Sequence, residues 1–186
     1  NSSKFRRIAQ FKSSSLSSAL SDRELNELDE TEVSLSDKNL VYFIDLEGRP
    51  TAAQTARLLA TQSSKSGKNI ILCDASNQSN REIEGHPTIV ISDITVSKAD
   101  GGFDILTECD GVSFFTSKNF KSTMQSLLSA YDQVYISSDS HKSMAGLIAL
   151  KPFDPSLVVM SRLRKTTKAS IRKLVSMHPV SILFHD

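Results

Sequence analysis

The chain has no tryptophan and only three tyrosines, which leaves few flat platforms on which nucleic-acid bases could stack. Its formal net charge is +1, too small for a bulk pull toward a polyanion, so nucleic acid is not an expected partner. The two cysteines, Cys73 and Cys109, form no CxxC pair. That disfavours a disulfide framework; Cys73, inside an apolar run, reads as a buried free thiol, and a reducing compartment fits. No apolar run approaches the length of a membrane span, and no signal peptide is visible. His86, His141, His178 and His185 show no HxH or HExxH spacing, which argues against zinc. His141 adjoins Asp139 and Ser140, but adjacent residues of one loop do not achieve the geometry of a Ser-His-Asp triad.

What is present is enough sequence for one well-cored domain and a tail: 186 residues, 39% hydrophobic and 23% charged, a soluble globular balance. Residues 1–37 differ from the rest. They combine a basic start (Lys4, Arg6, Arg7, Lys12), a serine-rich stretch and an acidic stretch from Asp22 to Glu32, with few hydrophobics. This segment reads as a flexible or loosely docked arm, with a short helix over Ser21–Leu28 capped by Ser21 or Asp22. It serves either as a solvated linker or as a juxtamembrane arm whose cations face anionic lipid. From Leu40 onward, apolar runs alternate with helical patterns. Leu40–Ile44 and Ile70–Cys73 read as strands buried on both faces. Pro50 suits the first turn of a helix whose apolar positions are Ala52, Ala56, Leu59 and Ala60, and Gly67 ends it. Further strands are expected over Ile89–Ile91, Phe103–Leu106, Asp132–Ser137, Leu157–Met160 and Val180–Phe184. Helices are expected over Lys118–Ser129, Ser143–Leu150 and Thr167–Met177. Residues 38–186 thus call for a three-layer α/β/α domain with a mostly parallel sheet, P-loop NTPase-like or Rossmann-like in class.

In such sheets ligands settle outside the carboxyl ends of the strands. Two places there carry candidate chemistry. The first is the turn Glu47-Gly48-Arg49-Pro50-Thr51-Ala52-Ala53, placed where a strand–turn–helix unit would cradle phosphates. It lacks the Gly-Lys-Ser/Thr ending that such a loop needs. Gly48 is its only glycine. Thr51 and Thr55 supply hydroxyls without a neighbouring lysine. Arg49 could hold an anion as a planar fork, and a helix start favours negative charge. The second place is Asp74, either a metal-side carboxylate or general base, or a strand-end aspartate capping the next turn. A third feature is the cluster Arg162, Arg164, Lys165, Lys168, Arg172 and Lys173. It reads as a solvated helix face, or as a patch for acidic protein, lipid headgroups or polyanionic glycan.

Three stretches together resemble the cytoplasmic P-loop domain of bacterial tyrosine kinases and polysaccharide co-polymerases, within the MinD/ParA-like class. Thr55-Ala56-Arg57-Leu58-Leu59-Ala60 followed by Ser66 to Ser76 is similar to that family's helix and second acidic motif. Gly102-Phe103-Asp104-Ile105-Leu106 looks like its glycine-led strand, and Phe120 to Ser138 looks like its third motif. The resemblance runs in order over about Leu40 to Phe184. It implies the fold, and a setting beside exopolysaccharide export at the inner membrane. The departures fall at the functional positions: the family's P-loop lysine aligns near Ala52, the second aspartate of its Asp-x-Asp motif with Ser76, and the aspartate of its third motif with Ser137. Only Asp74 survives among them. No tyrosine follows Tyr135, whereas the family's kinases end in a tyrosine-rich tail.

The expectation is a catalytically degenerate kinase-like cytoplasmic domain, not an active enzyme. It would regulate or scaffold exopolysaccharide biosynthesis, chain length or export. Gly48, Arg49, Thr51, Thr55 and Asp74 form its vestigial anion site, with no metal site. No cofactor is expected; ATP with magnesium is what an intact site would take. Expected partners are membrane-embedded polysaccharide export or polymerisation proteins and a second copy of the chain. Two alternatives stand beside this: an atypical ATPase or kinase using Arg49, Thr51 and Asp74, and a membrane-surface adaptor binding through the arm and the Arg162–Lys173 cluster.

Overall fold

Residues 40–45, Leu-Val-Tyr-Phe-Ile-Asp, are buried at every position. A strand apolar on both of its alternating faces must be covered on both sides. That is where it lies in the computed structural model, which describes residues 5–11, 22–45, 51–76, 88–91, 94–107, 109, 111–138, 143–162 and 180–185. The strands are β1 (Phe5–Phe11), β2 (Leu40–Asp45), β3 (Ile70–Asp74), β4 (Thr88–Ile91), β5 (Ile94–Lys98), β6 (Asp104–Leu106), β7 (Gln133–Ser138), β8 (Ser156–Arg162) and β9 (Val180–His185). The helices are α1 (Asp22–Leu35), α2 (Thr51–Lys65), α3 (Gly111–Thr116), α4 (Phe120–Ala130) and α5 (Ser143–Leu150).

The strands form one sheet in the order β1-β9-β8-β2-β7-β3-β6-β5-β4. All neighbours pair in parallel except around β5, which runs against both β6 and β4. Strand parity sorts the core into two clusters. Tyr42, Ile44, Ile71, Cys73, Val134 and Ile136 pack with Phe114, Phe120, Met124 and Leu147 from α3, α4 and α5. Val41, Phe43, Ile70, Leu72 and Tyr135 pack on the other face with Leu35 of α1 and Ala56, Leu59 and Ala60 of α2. The result is the expected three-layer α/β/α sandwich with a mostly parallel sheet. Cys73 and Cys109 are both buried free thiols.

Helix α2 starts one residue after Pro50 and stops where Gly67 adopts φ +86°. There Lys68 N–H donates to Ser63 O (3.2 Å) and Gly67 N–H to Ser64 O (3.0 Å), the paired bonds of a Schellman stop. The turn at the other end of α2, residues 46–50, lies outside the described residues, as does the helix expected over Thr167–Met177.

The segment read as a flexible or loosely docked arm, residues 1–37, carries two elements of the fold. Phe5–Phe11 pairs in parallel with β9 at the sheet edge, and the helix expected to end at Leu28 continues to Leu35. The helix docks on α2 through a few residues. Thr31 and Leu35 are buried, Lys68 Nζ reaches Glu32 Oε1 (3.3 Å), and Gln62 Nε2 donates to Asp29 Oδ1 (2.6 Å). Gln133 Nε2 donates to Leu35 O (2.7 Å) and Lys38 O (2.9 Å), closing the end of α1 onto β7.

Candidate functional site

Strands β2, β7 and β3 end side by side at the carboxyl edge. Phe43 and Asp74 both register against Ser137 of β7. Asp45 of β2 and Asp74 of β3 thus stand at this edge with β7 between them, and Ser76 and Ser137 bond to Asp74. Asp45 closes β2 and is fully buried; the Thr51 hydroxyl, in the first turn of α2, donates to its Oδ2. The start of α2, which would draw a phosphate, thus already faces an acidic side chain of its own chain. One turn further, Thr55 is also fully buried, and its Oγ1 has no hydrogen-bond partner. Ala52 and Ala53 are buried next to Thr51, so no ammonium group stands at the expected lysine position.

Asp74 is 4% exposed. Its Oδ1 accepts from Ser76 N–H (3.0 Å), Ser76 Oγ–H (2.6 Å) and Ser137 Oγ–H (3.0 Å). The first two bonds close an Asx-type turn, the geometry of the capping alternative. With the third bond they engage Ser76 and Ser137, the two positions that the resemblance aligns with the family's carboxylates. On the other face, Ser138 Oγ and Tyr42 OH lie 2.5 Å apart. Gly146 of α5 lets the helix pass over this ring, since a Cβ there would fall 2.5 Å from Tyr42 Cζ and 3.0 Å from Phe115 Cζ.

All three tyrosines of the chain are in the core: Tyr42 and Tyr135 are 0% exposed and Tyr131 is 7% exposed. Burial pushes the Tyr135 phenol up to about 12. The bond with Ser63 (3.4 Å) opposes that shift, and the Glu32 charge adds to it. Burial and the bond donated to Asp104 Oδ2 (2.8 Å) raise Tyr131 likewise. Lys98 pairs with the same Asp104.

The structure brings Thr51, Thr55 and Asp74 to one edge. Gly48 and Arg49 lie outside the described residues, as do Arg164, Lys165, Lys168, Arg172, Lys173 and the Asp139–His141 loop; Arg162 ends β8, its side chain undescribed. Sequence reasoning missed Asp45. Its signal was an acidic residue closing an apolar strand six positions before a helix-start threonine. Among the described residues, no group of three His, Cys, Asp or Glu could hold a metal ion. No described helix is long and apolar enough to cross a membrane.

No protein-family model and no curated protein matches the chain. Solved structures do. The BceF tyrosine kinase domain is 15% identical, with a TM-score of 0.68 over 98% of this chain and 83% of that one. The VpsO kinase domain is 15% identical, with a TM-score of 0.65 over 88% and 97%. The kinase domain of the Escherichia coli tyrosine kinase ETK is 12% identical, with a TM-score of 0.57 over 88% and 74%. At these identities the likeness is one of fold: the chain has the architecture of bacterial tyrosine kinase domains.

Proposed function

We propose that the chain is a catalytically degenerate, tyrosine-kinase-like cytoplasmic domain that regulates or scaffolds exopolysaccharide biosynthesis, chain length or export. It works at the inner-membrane face beside membrane-embedded export or polymerisation proteins, with neither ATP nor magnesium as a working cofactor. One observation carries this reading: the buried Asp45 carboxyl group takes the Thr51 hydroxyl at the start of α2. Phosphoryl transfer is catalysed almost wholly by positioning and by cations that neutralise charge developing on the transferred group. Here the helix start meets an acid, alanines follow Thr51, and the surviving Asp74 is spent on Ser76 and Ser137. The burial of all three tyrosines also leaves no exposed tyrosine acceptor within these 186 residues.

The test is phosphate release from Mg-ATP by the full chain, with intact-mass measurement after incubation. The expected result is release no faster for the wild type than for Asp74→Asn, and an unchanged mass. Turnover that Asp74→Asn abolishes would establish the atypical enzyme instead. The polysaccharide setting is tested separately, by the polymer's amount and length in a strain lacking the chain: a change supports it, and unchanged polymer ends it.

A further inference from the structure

At the amino edge of the sheet, opposite the Asp45–Asp74 corner, one residue holds an unusual backbone. Asp154, between α5 and β8, has φ 50° and ψ 59°, the left-handed region. Among the described residues it is the only one other than glycine with a positive φ. A side chain is crowded there, and a following proline pushes the residue before it toward extended backbone instead. Pro155 is that proline, and Asp154–Pro155 is the only Asp–Pro bond in the sequence. Anchors on both sides hold the bend. Upstream, the Phe153 ring packs edge-on against Phe120, 6.4 Å between centroids, and Asp154 N–H donates to Lys151 O (3.3 Å). Downstream, Pro155 is buried, and the fully buried Leu157 registers against Tyr42 of β2. Asp154 itself is exposed to water. Strained backbone persists only where its surroundings over-determine it, and it collects where the strain is used.

An Asp–Pro bond is the peptide bond whose own chemistry can use such strain. The aspartate carboxyl group reaches its own carbonyl carbon through a five-membered ring, a nucleophile already in place. The tertiary amide nitrogen of proline leaves more readily than that of an ordinary peptide. We propose that Asp154–Pro155 is a self-cleavage site. A carboxyl oxygen of Asp154 attacks its own carbonyl carbon and forms a C–O bond. The C–N bond to Pro155 breaks, and the nitrogen takes a proton from solvent and leaves as a secondary amine. Water then opens the cyclic anhydride, so the sum is hydrolysis, with Asp154 and Pro155 as the new termini. Strand β8 stays paired with β2 and β9, so the sheet holds the two pieces together after the cut. The proposal stands apart from the kinase-like reading, because neither residue belongs to the Asp45–Asp74 corner.

Intact-mass measurement of the full chain over days at pH 5 and 37 °C tests it, beside a peptide of residues 150–158, which has the bond without the anchors. The expected result is two fragments, 1–154 and 155–186, formed about tenfold or more faster in the chain than in the peptide, as relief of backbone strain of this kind requires. Asp154→Ala and Pro155→Ala should each abolish the cut, and melting curves check that both variants fold. Asp154→Glu keeps the carboxyl group but must close a six-membered ring, so it should slow the cut. The two fragments should co-elute in size exclusion. An uncut chain, a rate no greater than the peptide's, or cutting that persists in Asp154→Ala would overturn the proposal. Fragments that separate would overturn the part in which the sheet holds them.

Discussion

Single side chains decide what this fold can do, and Tyr135 shows how tightly the core beneath α1 and α2 is sealed. Its phenol is held up to about 12 by burial, against about 10 for an unfolded chain. The neutral form is therefore the one the fold stabilises. That contribution is complete below pH 10 and is lost as pH rises from 10 toward 12. At pH 11 the loss from this residue is on the order of 1 kcal/mol. Urea midpoints at pH 9 and pH 11 measure it, and Tyr135→Phe should flatten the fall between them. Gly146 makes a steric counterpart. A methyl group there drives into the Tyr42 and Phe115 rings, both buried. Gly146→Ala should cost about 1–3 kcal/mol in a thermal melt, as overpacking does, despite the higher helix propensity of alanine. The sequence displayed Thr51, Thr55 and Asp74 as candidates because motif spacing marks them. Asp45 escaped because an aspartate ending a strand before a turn is ordinary; only the fold showed that it is buried and aimed at Thr51.

Among the elements, the legible ones are those whose hydrophobic pattern is written in one period. β2, β3, β7 and β8 are apolar on both faces, and α2 and α4 carry stripes at helical spacing, so their positions follow from composition alone. Helix α1 is the opposite case. Its segment is acidic and poor in hydrophobics, and what docks it is Thr31, Leu35 and polar contacts to Lys68, Gln62 and Gln133. Partners so distant in sequence leave no local periodicity, so the sequence pattern ends at Leu28 while the helix runs to Leu35. Strand β1 was unreadable for the same reason: its partner, β9, comes from the other end of the chain. Leu35 is 2% exposed, so Leu35→Ala should cost about 2–4 kcal/mol through the cavity left behind. The half-buried Lys68–Glu32 pair is weaker; Lys68→Ala should cost under about 1 kcal/mol. Urea unfolding of both variants ranks them, and equal costs would show that α1 is held by charge and not by packing.

For the molecule as a whole, architecture and chemistry separate. The three-layer sandwich and the fold of bacterial tyrosine kinase domains persist at 12–15% identity. Fold at that distance sets where a ligand would sit and says little about whether one does. What the sequence made legible was the scaffold; vacancies at Ala52, Ser76 and Ser137 are what the resemblance implies. What the sequence concealed were the bonds that, in the proposed reading, close this corner from within: Thr51 on Asp45, and Ser76 and Ser137 on Asp74. Calorimetric titration of Mg-ATP into the full chain, beside the Asp45→Asn variant, tests that account most directly. The account predicts no micromolar binding by the wild type and tighter binding once the acid at the helix start is neutralised. Micromolar affinity in the wild type, undiminished or stronger than in Asp45→Asn, would contradict it.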